Sequence, residues 1–240
     1  MIWKFKADLY TVVHNTFVPM IYKTKGIVLR TIKYGETSIV TNIFTEEFGV
    51  QSYLVNGIRT SGKSSSKAGM FQPTSILALE AYHNDLKNLQ RLKEFRWSYL
   101  YQSVLTEVTK NSVAIFIVEL LYKCLKQPEK NIQLFAFCED AFIALDKAKP
   151  IVTANFPLYF SIHLAAFFGF SPAENSSQTQ LFFDLQEGKF VNEMPTHSYY
   201  LDAATSTFIA EILKARHPDD LAEIKMNKTN RRVLMIALQT

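Results

Sequence analysis

At 240 residues, with 48% hydrophobic side chains and a net charge of +4, the sequence can bury a substantial core without covalent staples and has room for one large domain or two small ones. Its two cysteines, Cys124 and Cys138, are too few for a disulfide framework and match no metal-ligand spacing, so they read as reduced core thiols of a cytosolic protein. The longest apolar stretches, Ser112 to Tyr122 and Phe156 to Phe170, are interrupted by Glu119 and His163 and fall short of the roughly 18 residues a membrane span needs.

In chain order, residues 1–19 carry Lys4, Lys6, Asp8 and His14 without a sustained apolar run or a small-residue cleavage site, which makes a poor secretion signal. They read as an upstream extension ahead of a more orderly start at Met20. From Met20 to Trp97 the chain breaks into short runs rich in Val, Ile, Tyr, Phe and Thr, bounded by turn residues. Five strands are predicted: Tyr22 to Thr31, Ser38 to Thr45, Val50 to Asn56, Phe71 to His83 and Leu89 to Trp97. Five strands in so short a segment fit a small closed barrel, and the OB-fold is the common five-stranded solution that removes sheet edges. Eleven basic residues stand against six acidic ones in this segment, which leaves the rest of the chain near neutral. A polyanion should therefore prefer the N-terminal part.

After Trp97 the period becomes helical, over Ser98 to Lys126, Asn131 to Lys147 and Asn155 to Gly169, punctuated by Pro128, Pro150 and Pro172. A turn-rich patch, Ser171 to Gln180, precedes a hairpin of Leu181 to Leu185 and Lys189 to Val191. Asp202 is placed to cap a helix over Ala203 to Ala215, and Pro218 and Thr229 introduce two short helices. The fold class is thus α+β: residues 20–97 form a five-stranded OB-fold nucleic-acid-binding domain, and residues 98–240 an all-helical domain with a small β-hairpin.

The sharpest motif is Gly57-Ile-Arg-Thr-Ser-Gly62-Lys63-Ser64, which satisfies G-x-x-x-x-G-K-[ST], the loop whose backbone N–H groups cradle nucleotide phosphates. That mechanism also needs a helix beginning at the lysine, within a parallel βαβ setting. Gly69 and Pro73 leave little room for the helix. A nucleotide-binding protein using Gly57 to Ser64 is the alternative reading; the favoured one is a flexible basic loop in which Arg59, Lys63 and Lys67 follow a phosphodiester backbone.

Lys25-Gly-Ile-Val-Leu-Arg30, Gly35-Glu-Thr-Ser-Ile-Val40, Phe44-Thr45 with Gly49, Asn56-Gly-Ile-Arg59 and Phe71-Gln-Pro73 resemble, in that order, the N-terminal half of the RecO family of DNA-repair recombination mediators. Phe168-Gly-Phe-Ser-Pro172 and Phe182-Phe-Asp-Leu185 with Gly188 and Phe190 continue the resemblance, which spans Met20 to Arg232. It implies a protein without catalytic chemistry or cofactor that binds single- and double-stranded DNA and anneals strands. It also implies partnership with RecR, contact with the single-strand-binding protein, and through these help in loading RecA. Two departures from the family pattern stand out. The four cysteines that give many members a zinc site after the third long helix are missing, so no metal is expected, and the chain stops at Thr240 where the family usually continues, implying a shortened C-terminus.

A barrel of this kind lays a strand along a positive groove and stacks bases on exposed aromatics. The candidate DNA contacts are Lys23, Lys25, Arg30, Lys33, Arg59, Lys63, Lys67, Arg91 and Arg96, with Tyr22, Tyr34 and Tyr53 as candidate stackers. In the helical part Phe156, Tyr159, Phe160 and Phe167 are the candidate floor of a groove for a partner peptide, against the plainer reading that they are core. His163 among them reads as a core histidine.

Overall fold

The structure, a computed structural model, describes residues 20–59, 65–170 and 182–238. The expectations for residues 1–19, for Lys63 and for the Ser171 to Gln180 turn lie outside the described residues.

Strands β1 (Ile21–Tyr34), β2 (Ser38–Thr45) and β3 (Gly49–Val55) form an antiparallel meander. β4 (Ile76–Tyr82) returns beside β1, and β5 (Leu89–Tyr99) pairs antiparallel with β4 and parallel with β3. The order β1-β2-β3-β5-β4 closes into a barrel, the OB-fold arrangement that the five short strands implied. Alternation does the sorting: Ile39, Ile43, Tyr53 and Val55 point inward with Leu77, Leu79 and Ala81, while their neighbours face out.

β1 serves two cores. Alternation sends Val28 into the barrel interior and Ile27 and Leu29, with Phe44 and Ile76, into the core shared with the helices; the register then slips between Val28 and Arg30, and this bulge, at Leu29, pairs Arg30 with outward-facing Asn42. The fourth strand starts at Ile76 instead of Phe71. After a single-turn helix, α1 (Ser65–Ala68), and a 3-10 turn (Gly69–Phe71), Phe71 turns into the barrel, its ring 4.8 Å from that of Phe95.

The helical body comprises α2 (Val108–Cys124), α3 (Ile132–Lys147), α4 (Pro150–Ala166), α5 (Ala203–Lys214) and α6 (Lys228–Ala237). Asn131, Asp202 and Asn227 cap α3, α5 and α6 by accepting from the N–H groups of Leu134, Thr205 and Asn230 at 2.8–2.9 Å. Pro150 opens α4 at its first turn, where a missing N–H costs nothing, so α4 begins there and not at Asn155. The hairpin of β6 (Phe182–Asp184) and β7 (Lys189–Val191) gains a third strand, β8 (Tyr200–Leu201), too short to have registered as a pattern.

Residues 98–107, expected as helix, are instead the end of β5 and a turn folded onto Asp146. The Asp146 carboxylate accepts the backbone N–H groups of Gln102, Ser103 and Val104 and the Tyr99 hydroxyl at 2.8–3.1 Å. Buried Lys110 donates to the Asp146 carbonyl at 2.9 Å and to Ser103 Oγ at 2.8 Å. Burial pushes the Asp146 carboxyl up, but these hydrogen bonds outweigh it and hold the group below the ordinary carboxylate value.

Further ties join barrel and helices. Phe44 packs on Phe135 at 5.5 Å, and Lys130 pairs with Glu47 at 2.7 Å. Gly49, at φ 62°, meets the α2–α3 connection so closely that a Cβ there would lie 2.3 Å from the Glu129 carbonyl oxygen.

Asp146→Asn should cost about 2–4 kcal/mol near neutral pH, because several donors lose an ionised acceptor. Since the folded-state pKa is depressed, the stability this carboxylate supplies is present above its ordinary value and is lost as pH falls through the depressed one, so the deficit of the variant should shrink in acid. Urea midpoints at about pH 7 and about pH 2.5 check both statements. Gly49→Ala should cost at least about 2 kcal/mol, from the left-handed backbone and the backbone clash together, measured by the same unfolding curves.

Candidate nucleic-acid interface

Strand register places the outward residues of β1, β2, β3 and β5 in rows. Arg30, Asn42, Ser52 and Leu89 lie across one row, and Ile32, Val40, Leu54 and Arg91 across the next. Tyr34, 56% exposed, stands at the end of β1. The face is therefore an open apolar strip, with Ile32 and Leu89 also exposed, bordered by the cations Arg30 and Arg91; exposed Lys33, opposite the inward-pointing Ile39, stands at the end of β1 beside it. Lys67 is exposed on α1. Arg59 folds back on the β1–β2 turn: its N–H donates to the Thr37 carbonyl at 3.0 Å and its guanidinium to the Gly35 carbonyl at 3.2 Å. Among the described residues, Arg30, Lys33, Lys67 and Arg91 have no carboxylate in ion-pair range.

The other predicted cations sit elsewhere. Lys23, Lys25 and Arg96 line a cleft of about 490 Å³ over β1, β4 and β5, together with Glu46, Glu80 and Glu94. Lys23 approaches Glu80 at 3.7 Å, and Lys93 holds the same carboxylate at 3.1 Å. Lys25 reaches across to α3, where its ammonium lies 2.8 Å from Glu139, and that hydrogen bond holds its pKa above the ordinary lysine value. Of the cations named together in the sequence, Arg30, Lys33, Lys67 and Arg91 stand open, Arg59 is held by the β1–β2 turn, and Lys23, Lys25 and Arg96 share a cleft with glutamates, with Lys63 outside the described residues.

Of the candidate stackers only Tyr34 is open. Tyr53 is fully buried in the barrel, and burial pushes its phenol up; it is core, not platform. Tyr22 packs edge-on against Phe48, 5.2 Å away, at the end of the barrel where Phe48 stacks on His83 at 3.9 Å.

The helical body adds residues that sequence reasoning did not single out. Tyr122, near the end of α2, lies under the Arg30 guanidinium, 5.7 Å from ring centroid to carbon and 3.4 Å from hydroxyl to Nη1. Below it a cleft of about 550 Å³ opens between β2–β3 and the α2–α3 connection, lined in part by Asn42, Ser52, Lys87, Tyr122, Lys126 and Lys130. The signal was present as lysines just past a helix end, but charge counted within one domain could not show that two domains share a wall.

Phe156, Tyr159 and Phe160, expected on a partner groove, are buried in the helical core and offer no surface. Phe167 is half-buried, 5.4 Å from Phe137. The apolar groove of the helical body lies farther along, about 800 Å³, with Phe116, Leu120, Phe168, Phe170 and Met235 in its wall. His163 is a core histidine whose ring N–H donates to the Ile212 carbonyl, and burial lowers its pKa. Among the described residues the glycine-rich segment is flanked by β3, which pairs with β2 and β5 of the barrel, and by α1, four residues long, where a phosphate loop needs a long helix; Thr60 to Ser64 lie outside the described residues.

The fold and this face define an OB-fold protein carried on a helical body. The family model described as Recombination protein O N terminal matches residues 20–101, and the one described as Recombination protein O C terminal matches residues 105–239. Relatives named DNA repair protein RecO occur in Azobacteroides pseudotrichonymphae, 32% identical over 198 residues, or 82% of this chain and 81% of that one. They occur also in Flavobacterium psychrophilum, 38% identical over 168 residues (70% and 69%), and Bacteroides fragilis, 30% identical over 213 residues (88% and 87%). The chain belongs to the recombination protein O (RecO) family. Among the described residues no helix is long and apolar enough to cross a membrane, and no group of three metal-ligating side chains is found.

Lys25→Gln should lower stability by about 1 kcal/mol, since Glu139 loses its partner, and should leave affinity for a single-stranded oligonucleotide unchanged; thermal unfolding and fluorescence anisotropy read the two effects separately.

Proposed function

We propose that this protein is a DNA-binding recombination mediator, acting in the cytoplasm without catalysis or cofactor, and that single-stranded DNA lies on the β1–β2–β3–β5 face. The observation that carries the reading is the exposed strip of Tyr34, Ile32 and Leu89 bordered by Arg30, Lys33 and Arg91, cations free of carboxylate partners among the described residues. Phosphates neutralised by the cations fix the strand's path, and bases laid on the apolar strip contribute stacking and burial that any sequence can make. Arg59, held against the β1–β2 turn beside Tyr34, and Lys67 extend the positive track, and Lys63 is assigned to it from the sequence alone. Lys23 and Lys25, each paired with a glutamate, and Arg96, which lines the same cleft as Glu46, Glu80 and Glu94, are left out of it, because the carboxylates of that cleft repel a polyanion.

Residues 20–97 then serve as the nucleic-acid-binding domain, and the helical domain from residue 98 onward meets protein partners. The relatives' name places them in DNA repair, and the family resemblance supports strand annealing, duplex binding, partnership with RecR and the single-strand-binding protein, and indirect help in loading RecA. The groove beside Phe168 and Phe170 is the surface suited to an apolar peptide tail of such a partner.

Fluorescence anisotropy of a labelled single-stranded oligonucleotide across a salt series tests the assignment. Replacing Arg30, Lys33 and Arg91 together by alanine should weaken binding and make the slope of log affinity against log salt shallower by about 2, at roughly 0.7 per phosphate contact. Replacing Lys23, Lys25 and Arg96 together should leave the slope where it was. Equal losses from the two variants would reject the face, and no salt-dependent binding by the unaltered protein would reject the function.

A further inference from the structure

The β4–β5 loop, His83 to Asn88, is held with unusual firmness for a surface turn. Buried Gln90 braces it from below: its side-chain amide donates to the carbonyls of Asn84 at 3.0 Å and Lys87 at 2.6 Å, and its oxygen accepts the Asn84 N–H at 3.0 Å. The Asn84 side chain accepts the Leu86 N–H at 2.9 Å, and the Asn84 carbonyl accepts the Lys87 N–H at 3.0 Å. The apolar side chain at the tip of this ordered turn is Leu86, 93% exposed, between the equally open Asp85 and the exposed Lys87. A leucine there leaves its apolar surface in water, at a position where turn chemistry favours polar residues.

The surroundings of Leu86 say what would cover it. Its neighbours Asp85 and Lys87 line the cleft of about 550 Å³ that continues from the Arg30–Tyr122 contact, and Lys126 and Lys130 face them from the α2–α3 connection. Lys130 is engaged by Glu47, and Asp85 by His83, but among the described residues neither Lys87 nor Lys126 has a carboxylate in ion-pair range. A cleft of this volume is of the size that takes up a small molecule, which suits the base and sugar of an unpaired strand. The stacked Phe48 and His83 rings close its floor beside the loop.

Resting on the reading that the barrel face holds a single strand, we propose that Leu86 is an apolar wedge: it enters between two successive bases as the strand leaves the face for the cleft, and opens the stack at that step. The phosphates on either side fall to Lys87 and Lys126, and the leucine takes the place of the lost base neighbour. Apolar side chains on fixed loops unstack base steps in this way, and a single strand resists far less than a duplex. The loop must be rigid for the wedge to work, which gives Gln90 its purpose as the positioning residue.

The test is a single-stranded oligonucleotide in which several adenines are replaced by 2-aminopurine, a base whose fluorescence rises on unstacking, titrated with the full chain while anisotropy of an end label reports binding. The unaltered protein should raise the 2-aminopurine signal on binding. Leu86→Ala should lose that rise while affinity falls by less than about tenfold, and Leu86→Met should retain it. Because Leu86 contributes nothing to the core, an unchanged thermal midpoint in Leu86→Ala is expected and separates this result from misfolding. Binding by both proteins with the same rise in fluorescence overturns the wedge and leaves the DNA face standing; an unaltered protein that gives no anisotropy change overturns the DNA reading itself, and the wedge with it.

Discussion

A buried carboxylate decides where everything else stands. Asp146, near the end of α3, takes the N–H groups of three consecutive residues just after the last barrel strand, and Lys110 of α2 closes the same knot. The chain therefore cannot leave the barrel in more than one direction, and α2 cannot swing away from β1. From that constraint follow the packing of Phe44 on Phe135, the contact of Gly49 with Glu129 and the placing of Tyr122 beneath Arg30. A functional surface made from two domains needs such an anchor, because a shift of one helical turn in α2 would part the lysines beyond it from the barrel wall.

The barrel was legible because its signals are local. Alternation within β2 and β3, glycines at the β1–β2 and β2–β3 turns and the short spacing of strands all lie within a few residues of one another. The caps Asn131 and Asp202 are of the same kind, a polar side chain one residue ahead of the first helical turn. Residues 98–107 were misread because their apolar content continues the helical pattern, while what shapes them is a carboxylate more than forty residues on. Pro150 was read as an interruption, yet in the first turn the same residue begins a helix. A two-residue strand such as Tyr200–Leu201 has no period to detect.

The site was legible in kind and not in place. Composition pointed to the N-terminal half of the chain, and register places Arg30 and Arg91 on one open face, with Lys33 exposed at the end of β1. Lys25 shows why the rest could not be sorted: its partner is 114 residues away, and nothing near Lys25 in sequence reveals that Glu139 waits for it. Tyr53 shows the converse, since an aromatic residue in a strand looks the same whether it points into the barrel or out of it until the register is known. The aromatics of α4 went inward for want of any polar face on that helix, and the exposed rings, Phe168 and Phe170, lie just beyond its end.

The division of the barrel's cations gives the molecule a front and a back. On one side the positive charges stand open to solvent; on the other each is close to glutamates, so the two sides project different potentials beyond the surface. An approaching nucleic acid feels this difference over about 8–10 Å at physiological salt, before any contact forms. On the proposed assignment the encounter is oriented before contact: a strand arriving at the back is turned or released, and one arriving at the front is drawn along the strip. Charge pairing at the back would then add nothing to affinity and still shorten the search.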